Sequence, residues 1–270
     1  NTSVTLSSGQ TLSNSFTYTT SASDTPQVTT TVSSANDTAS QTVTVNEPAN
    51  FAVTIDNAPS SVVSGNDIVV DYTVENTGGQ TDTQDITFDV NGTQESVNSG
   101  VTLSSGQTLS DTFTYTTTTS DTPQVTTTIA SANDTASQTV AVNAPANFAV
   151  NIDNAPASVI TGDTITVDYT VENTGGVSDT QDITFDVNGT QEDVNSGVTL
   201  AAGGTLSDSF TYTTTSSDVP QVTTTVASAN DSASSTVTVN EPANFAVTID
   251  NAPASVVTGD TITVDYTVEN

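Results

Sequence analysis

The chain has 270 residues, of which 31 are Asp or Glu and none is Lys, Arg or His, so its formal charge is −31; Cys, Met and Trp are also absent. Without Lys or Arg there is no phosphate clamp and no nucleic-acid footprint. Without His or Cys there is no Ser-His-Asp triad, thiol nucleophile, disulfide or ordinary zinc site. The composition therefore speaks against an enzyme and against nucleic acid as a partner.

Unbalanced negative charge opposes compaction at ordinary ionic strength. At about 1 M salt the Debye length falls to roughly 3 Å and most of that repulsion is screened. The reading is a surface suited to high salt, with a disordered acidic linker as the competing reading.

Taken along the chain, the residues decide against disorder. Residues 1–49 carry Phe16-Thr17-Tyr18 and lead into a short connection, Val45-Asn46-Glu47-Pro48-Ala49-Asn50. Phe51–Ile55 then reads as a strand, closed by the turn signal Asn57-Ala58-Pro59. Ile68, Val70, Tyr72 and Val74 alternate with Val69, Asp71, Thr73 and Glu75, the period of a half-buried strand. Thr77-Gly78-Gly79 breaks it, and Ile86, Phe88 and Val90 resume against Asp85, Thr87 and Asp89. Asn91-Gly92 is the signature of a type I′ hairpin turn. After Ser105-Gly106-Gln107, Thr108–Tyr115 sets Leu109, Phe113 and Tyr115 on one face, with Asp111 as an acidic exception. Asp121-Thr122-Pro123 precedes strands at 124–130 and 136–142, and Val142–Asn147 forms the next connection.

The series then starts again. Asn50-Phe51-Ala52-Val53 returns at Asn147 and Asn244, a step of 147 − 50 = 97 residues. That is the size of a small domain with its own core. The divisions expected are 1–49 as the C-terminal half of a repeat, 50–146 and 147–243 as complete repeats, and 244–270 as an N-terminal half. The chain reads as a window cut from a longer array. Seven or so short strands per repeat, with no helical period, predict an all-β fold of tandem immunoglobulin-like sandwiches in a stiff array.

Gly162-Asp163-Thr164-Ile165-Thr166-Val167-Asp168-Tyr169-Thr170-Val171-Glu172-Asn173-Thr174-Gly175-Gly176, followed by Leu200-x-x-Gly203 and Phe210-Thr211-Tyr212, resembles the CARDB family of cell-adhesion-related domains. The wording is most similar to that of surface proteins of halophilic archaea. The resemblance implies an immunoglobulin-like fold, a cell-surface location and a structural or adhesive role; it implies no catalytic residues. The chain departs from the family at Ser131-Ala132-Asn133-Asp134-Thr135, where many members carry an acidic, Asn-rich tail.

Asn-x-Ser/Thr acceptors stand at Asn1, Asn36, Asn91, Asn133, Asn188 and Asn230 and are the candidates for N-linked glycans. Asn91 and Asn188 are weaker candidates, because the hairpin already explains them. The connections carrying Pro48, Pro145 and Pro242 are the expected inter-repeat joints, and proline fixes φ there. No cofactor is expected. Ca2+ or Na+ is the candidate for a bound ion, near the joints, where Asp56 and Asp153 lie shortly before a proline; the signal is weak and no metal ligand set is assigned. Tyr72, Tyr115, Tyr169 and Tyr212 are expected in the core, with hydroxyls reaching backbone carbonyls.

These readings point to an extracellular filament, stalk or adhesion scaffold on the cell surface in high salt. Its partner would be itself, along or beside the fibre, with no membrane span in this window. The alternative is a spacer array that presents a ligand-binding or adhesive module lying outside it.

Overall fold

A computed structural model describes residues 4–270. The chain divides into two compact units, Asn1–Val142 and Asn143–Asn270. In the first, β1 (Gln27–Ser33) and β2 (Thr38–Thr44) form a two-stranded antiparallel ribbon. There follow β3 (Phe51–Asn57), β4 (Ser61–Val63), β5 (Asp67–Asn76), β6 (Asp82–Val90), β7 (Thr93–Leu103), β8 (Thr108–Thr116), β9 (Gln124–Ala130) and β10 (Thr135–Asn143). They build a three-stranded sheet, β3-β5-β8, and a five-stranded sheet, β4-β10-β9-β6-β7.

The second unit repeats them as β11 (Phe148–Asn154), β12 (Ser158–Ile160), β13 (Thr164–Asn173), β14 (Asp179–Val187), β15 (Thr190–Leu200), β16 (Thr205–Thr213), β17 (Gln221–Ala227) and β18 (Ser232–Asn240). Every boundary from β3 to β10 recurs 97 residues later, as 148 − 51 shows for the first. The sheets are again three- and five-stranded, β11-β13-β16 and β12-β18-β17-β14-β15. Two sheets around one core, antiparallel except that the short β12 runs parallel to β18, with β4 or β12 crossing to the opposite sheet, make each an immunoglobulin-like sandwich. The chain is a tandem of such domains.

Alternation produces the core. Ile68, Val70, Tyr72 and Val74 of β5 are fully buried, as are Ile86 and Phe88 of β6 and Val125 and Ile129 of β9. A stack of rings bridges the two sheets: Tyr72 to Phe113 at 5.1 Å and Phe113 to Phe88 at 5.2 Å between centroids. Tyr169, Phe210 and Phe185 repeat it at 5.0 and 5.2 Å. Offset stacking of this kind adds about 0.5–1.5 kcal/mol per pair to the burial of the rings. Asn91 (φ 52°) and Gly92 (φ 81°) both take left-handed backbone, as a type I′ turn requires. Gly92 accepts that conformation without penalty, and Asn91 is among the few non-glycine types that tolerate it.

The half repeats show what pairing contributes. Residues 11–19, which correspond in phase to β8, form no strand, because residues 4–49 contain no counterpart of β5. At the other end β19 (Ala246–Asn251) pairs antiparallel with β20 (Asp265–Glu269). No opposing sheet covers that pair, so Phe245, Val247 and Ile249 are 65–69% exposed, whereas Phe51 and Phe148 are fully buried.

Candidate functional site at the repeat joint

The inward parity of β5 does not end at Val74. Asn76 is the next residue on that face and is fully buried. A buried carboxamide must find partners for all its polar atoms, and Asn76 does. Its Nδ2 donates to the carbonyls of Gln80 (2.7 Å) and Leu103 (2.9 Å). Its Oδ1 accepts from the backbone N–H groups of Gly78 (3.1 Å) and Asn50 (3.2 Å). The last contact ties the buried end of β5 to the joint that carries Pro48.

Further bonds fasten the joint to the loop after β5. Thr77 N–H donates to Asn50 O at 2.8 Å, Gly79 N–H to Glu47 O at 3.1 Å, and Asn50 Nδ2 to Thr77 Oγ1 at 2.7 Å. The glycines are explained by close approach. A Cβ on Gly78 would overlap Pro48 O and lie 2.7 Å from Ala49 Cα, and one on Gly79 would lie 3.1 Å from Glu47 N. The second complete repeat reproduces the arrangement. Asn173 Oδ1 accepts from Asn147 N–H (3.1 Å) and Gly175 N–H (3.0 Å), Thr174 N–H donates to Asn147 O (2.8 Å), and Gly176 N–H donates to Ala144 O (3.0 Å). Asn244 N–H likewise donates to Asn270 Oδ1 at 3.1 Å beside Pro242. The second compact unit accordingly begins at Asn143, upstream of the start of the 147–243 repeat, because residues 143–147 are bound to the loop that follows them. The sequence showed the turn glycines; the signal for the rest was the inward parity of Asn76.

The Ser-Ala-Asn-Asp segment forms a second local device. Ser131 Oγ donates to Phe51 O (2.8 Å), Phe51 N–H donates to Asn133 Oδ1 (3.1 Å), and Val53 N–H donates to Asp134 Oδ2 (2.9 Å). Side chains of the β9–β10 loop thus pair with the outer edge of β3, which would otherwise be open to another strand. Gln84 Nε2 also donates to Asn133 Oδ1 at 2.7 Å. The clasp returns with Ser228, Asn230 and Asp231 on Phe148 and Val150.

Among the sequon asparagines, Asn133 and Asn230 are therefore exposed on clasp loops with their carbonyl oxygens engaged. Asn36 is exposed in the matching loop of the first half repeat. Asn91 and Asn188 sit in the hairpin turns, where Oδ1 accepts from Thr126 N–H and Thr223 N–H at 2.9 Å each. Asn1 lies outside the described residues. The structure brings Pro48 and Pro145 together with the Gly-Gly loops, but not with Asp56 or Asp153. Asp56 stands at the far end of β3 from Pro48 and accepts a 2.7 Å bond from Thr73 Oγ1; Asp153 accepts from Thr170 Oγ1 at 2.6 Å. Among the described residues no group of three or more His, Cys, Asp or Glu converges as a metal site.

The tyrosine expectation needs correction. Tyr115 and Tyr212 donate to carboxylates, not carbonyls: Tyr115 to both oxygens of Asp121 at 3.2 Å, and Tyr212 to those of Asp218 at 3.1 and 3.3 Å. Burial, then the neighbouring negative charge, raises the Tyr115 pKa. The hydroxyls of Tyr72 and Tyr169 are buried and have no hydrogen-bond partner among the described residues. Asp82 and Asp179 are held below the usual carboxylate range, chiefly by the Gln84 and Gln181 side chains.

No protein-family model matches the chain, CARDB included, and no curated protein matches it. Similar solved structures include fibronectin(III)-like modules of Clostridium thermocellum CbhA, at 14% identity over 70% of this chain and 94% of that one with a TM-score of 0.29. An ectodomain fragment of ICAM-5 is 14% identical over 88% of this chain and 67% of that one, TM-score 0.36. A three-domain titin segment is 14% identical over 80% and 74%, TM-score 0.30. The assignment to immunoglobulin-like sandwiches rests on the sheets themselves. No helix of the described residues is long and apolar enough to cross a membrane.

Proposed function

We propose that the chain is part of an extracellular structural filament or stalk, a cell-surface fibre or adhesion scaffold working in high salt. The observation that carries this reading is the joint. In each complete repeat the connecting residues are bound to the following Asn-Thr-Gly-Gly loop by backbone and side-chain hydrogen bonds, which leaves little slack for a flexible tether. The near-interchangeable loops of the two complete repeats favour a scaffold over a series of distinct binding modules. The CARDB resemblance of Gly162–Gly176 supports the same location and role, and repeats running 50–146 and 147–243 would be its units.

Small-angle scattering of the full chain in molar salt tests the reading. A rod-like profile with the cross-section of one sandwich is expected; the profile of freely jointed domains would refute it. Asn36, Asn133 and Asn230 are the proposed glycan acceptors, on exposed loops. Glycopeptide mass analysis of the native protein that finds only unmodified asparagine at all three would end that part of the proposal.

A further inference from the structure

Asp111 and its counterpart Asp208 occupy core-facing parity in strands that are otherwise apolar on that side. In the register, Asp208 lies opposite Tyr169 and Asp111 opposite Tyr72. Each carboxylate is reached across the gap between the sheets. Asn195 Nδ2 donates to Asp208 Oδ2 at 3.1 Å, and Asn98 Nδ2 to Asp111 Oδ2 at 3.0 Å. Beneath each pair lies a tyrosine with 0–1% exposure whose hydroxyl lacks a partner among the described residues.

The two repeats differ at one position of this cluster. Asp193 of β15 lies opposite buried Phe185, and so belongs to the core-facing side of that edge strand; the first repeat has Ser96 opposite Phe88. The second repeat therefore turns two carboxylates and a carboxamide towards one buried phenol. No Lys, Arg or His exists anywhere in the chain to neutralise the pair. Both carboxylates are exposed, so a cation from solvent can reach them.

We propose that Asp193, Asp208, Asn195 and Tyr169 form a divalent-cation site of the calcium class in the second complete repeat. The ligands are hard oxygens: two carboxylates, the carboxamide oxygen and the phenol oxygen, with water completing the shell. The phenolic proton turns to a carboxylate, so the hydroxyl is satisfied as well. The first repeat, with Ser96 in place of the second carboxylate, does not hold the ion. The site is separate from the joints and does not depend on the chain being a filament.

The test is titration of the full chain with Ca2+ by calorimetry at constant ionic strength, with Tb3+ as a luminescent probe excited through tyrosine. One saturable Ca2+ site per chain is expected, with a Kd on the order of 10−4 to 10−3 M, as in extracellular calcium modules, and Ca2+ should displace the Tb3+. Asp193→Ser should weaken binding at least tenfold. It is a safe variant for folding, because serine is what the first repeat carries there. Ser96→Asp should create a second site of similar affinity. Tyr169→Phe should remove most of the sensitised Tb3+ emission and weaken Ca2+ binding, though less than Asp193→Ser does, because it deletes a neutral ligand and keeps both carboxylates. If Asp193 serves only as a charge that protects an edge strand, Asp193→Ser will leave stoichiometry and affinity unchanged, and the proposal fails. It fails equally if uptake is unsaturable, as for a diffuse counterion cloud.

Discussion

Gly175→Ala is the sharpest probe of the joint. The added Cβ would overlap Pro145 O and stand 2.5 Å from Ala146 Cα and 2.8 Å from Asn147 N. All three atoms are backbone, so no side chain can swing aside. Relief requires the joint to lift from the loop, which opens Thr174 N–H to Asn147 O (2.8 Å) and Asn147 N–H to Asn173 Oδ1 (3.1 Å). Two such bonds contribute about 0.5–1.5 kcal/mol each, and a half-satisfied Asn173 buried in the core adds about 1 kcal/mol or more. The sum is about 2–4 kcal/mol, or roughly 10–20 °C in the melting temperature of one domain. Gly203→Ala is the control: that residue has φ +70° with open space around it, so alanine there meets only left-handed backbone strain of about 1–2 kcal/mol. Calorimetric melting of the full chain in molar salt should show one repeat's transition moving well below the other's for Gly175→Ala, and a smaller shift for Gly203→Ala. Equal shifts for the two variants would refute the packing argument.

Other outcomes follow from the same structure. Asn133→Ala removes the acceptor of Phe51 N–H and should cost about 1–3 kcal/mol, with faster hydrogen exchange at Phe51; Thr135→Ala, which destroys the sequon but keeps the asparagine, should leave that exchange unchanged. Tyr72 and Tyr169 have pKa values raised above 10.0, chiefly by burial. A phenol whose folded pKa is raised contributes stability that is complete below its unfolded pKa and is lost as pH rises through the folded value. Alkaline titration above about pH 10 should therefore couple their ionisation to unfolding, seen as tyrosinate absorbance rising together with loss of β circular dichroism; ionisation of all tyrosines with unchanged dichroism would contradict this. Dialysis from molar to millimolar salt should lower the melting temperature markedly, since no positive side chain offsets the −31 charge. A melting temperature constant across that range would count against the high-salt reading.

The strands were legible because period two is a strong signal and the turns are chemically marked. Gln124–Ala130 and the Asn91-Gly92 hairpin lie where the residues placed them. The three-residue strand Ser61–Val63 was not legible, because three residues cannot display alternation. The functional details were harder for a different reason. The clasp joins Asn133 to Phe51 across 82 residues, and nothing local in Ser-Ala-Asn-Asp states which edge it will cover. Asn76 looked like the end of a strand, although its inward parity foretold a buried amide. Asp111 was visible as an exception to its face, but its partner Asn98 lies on the opposite sheet. Tyr72 and Tyr169 were correctly sent to the core; Tyr115 and Tyr212 are half-buried at its margin, where the carboxylate each meets depended on what the fold brought near.

The short strand β12 has a mechanical consequence. It runs parallel to β18, the last strand before the next joint, with Ser158 opposite Thr238 and Ile160 opposite Asn240. Tension applied to the chain would enter near the start of one strand and leave from the end of the other, in opposite directions along a parallel pair. The three pairs are thereby loaded in shear and must rupture together; they cannot peel one at a time. Force entering through Asn147 meets Phe148 first, whose N–H and C=O are already held by Asn230 and Ser228. The second complete repeat thus places its clasp and its parallel pair along the line on which a pull would act.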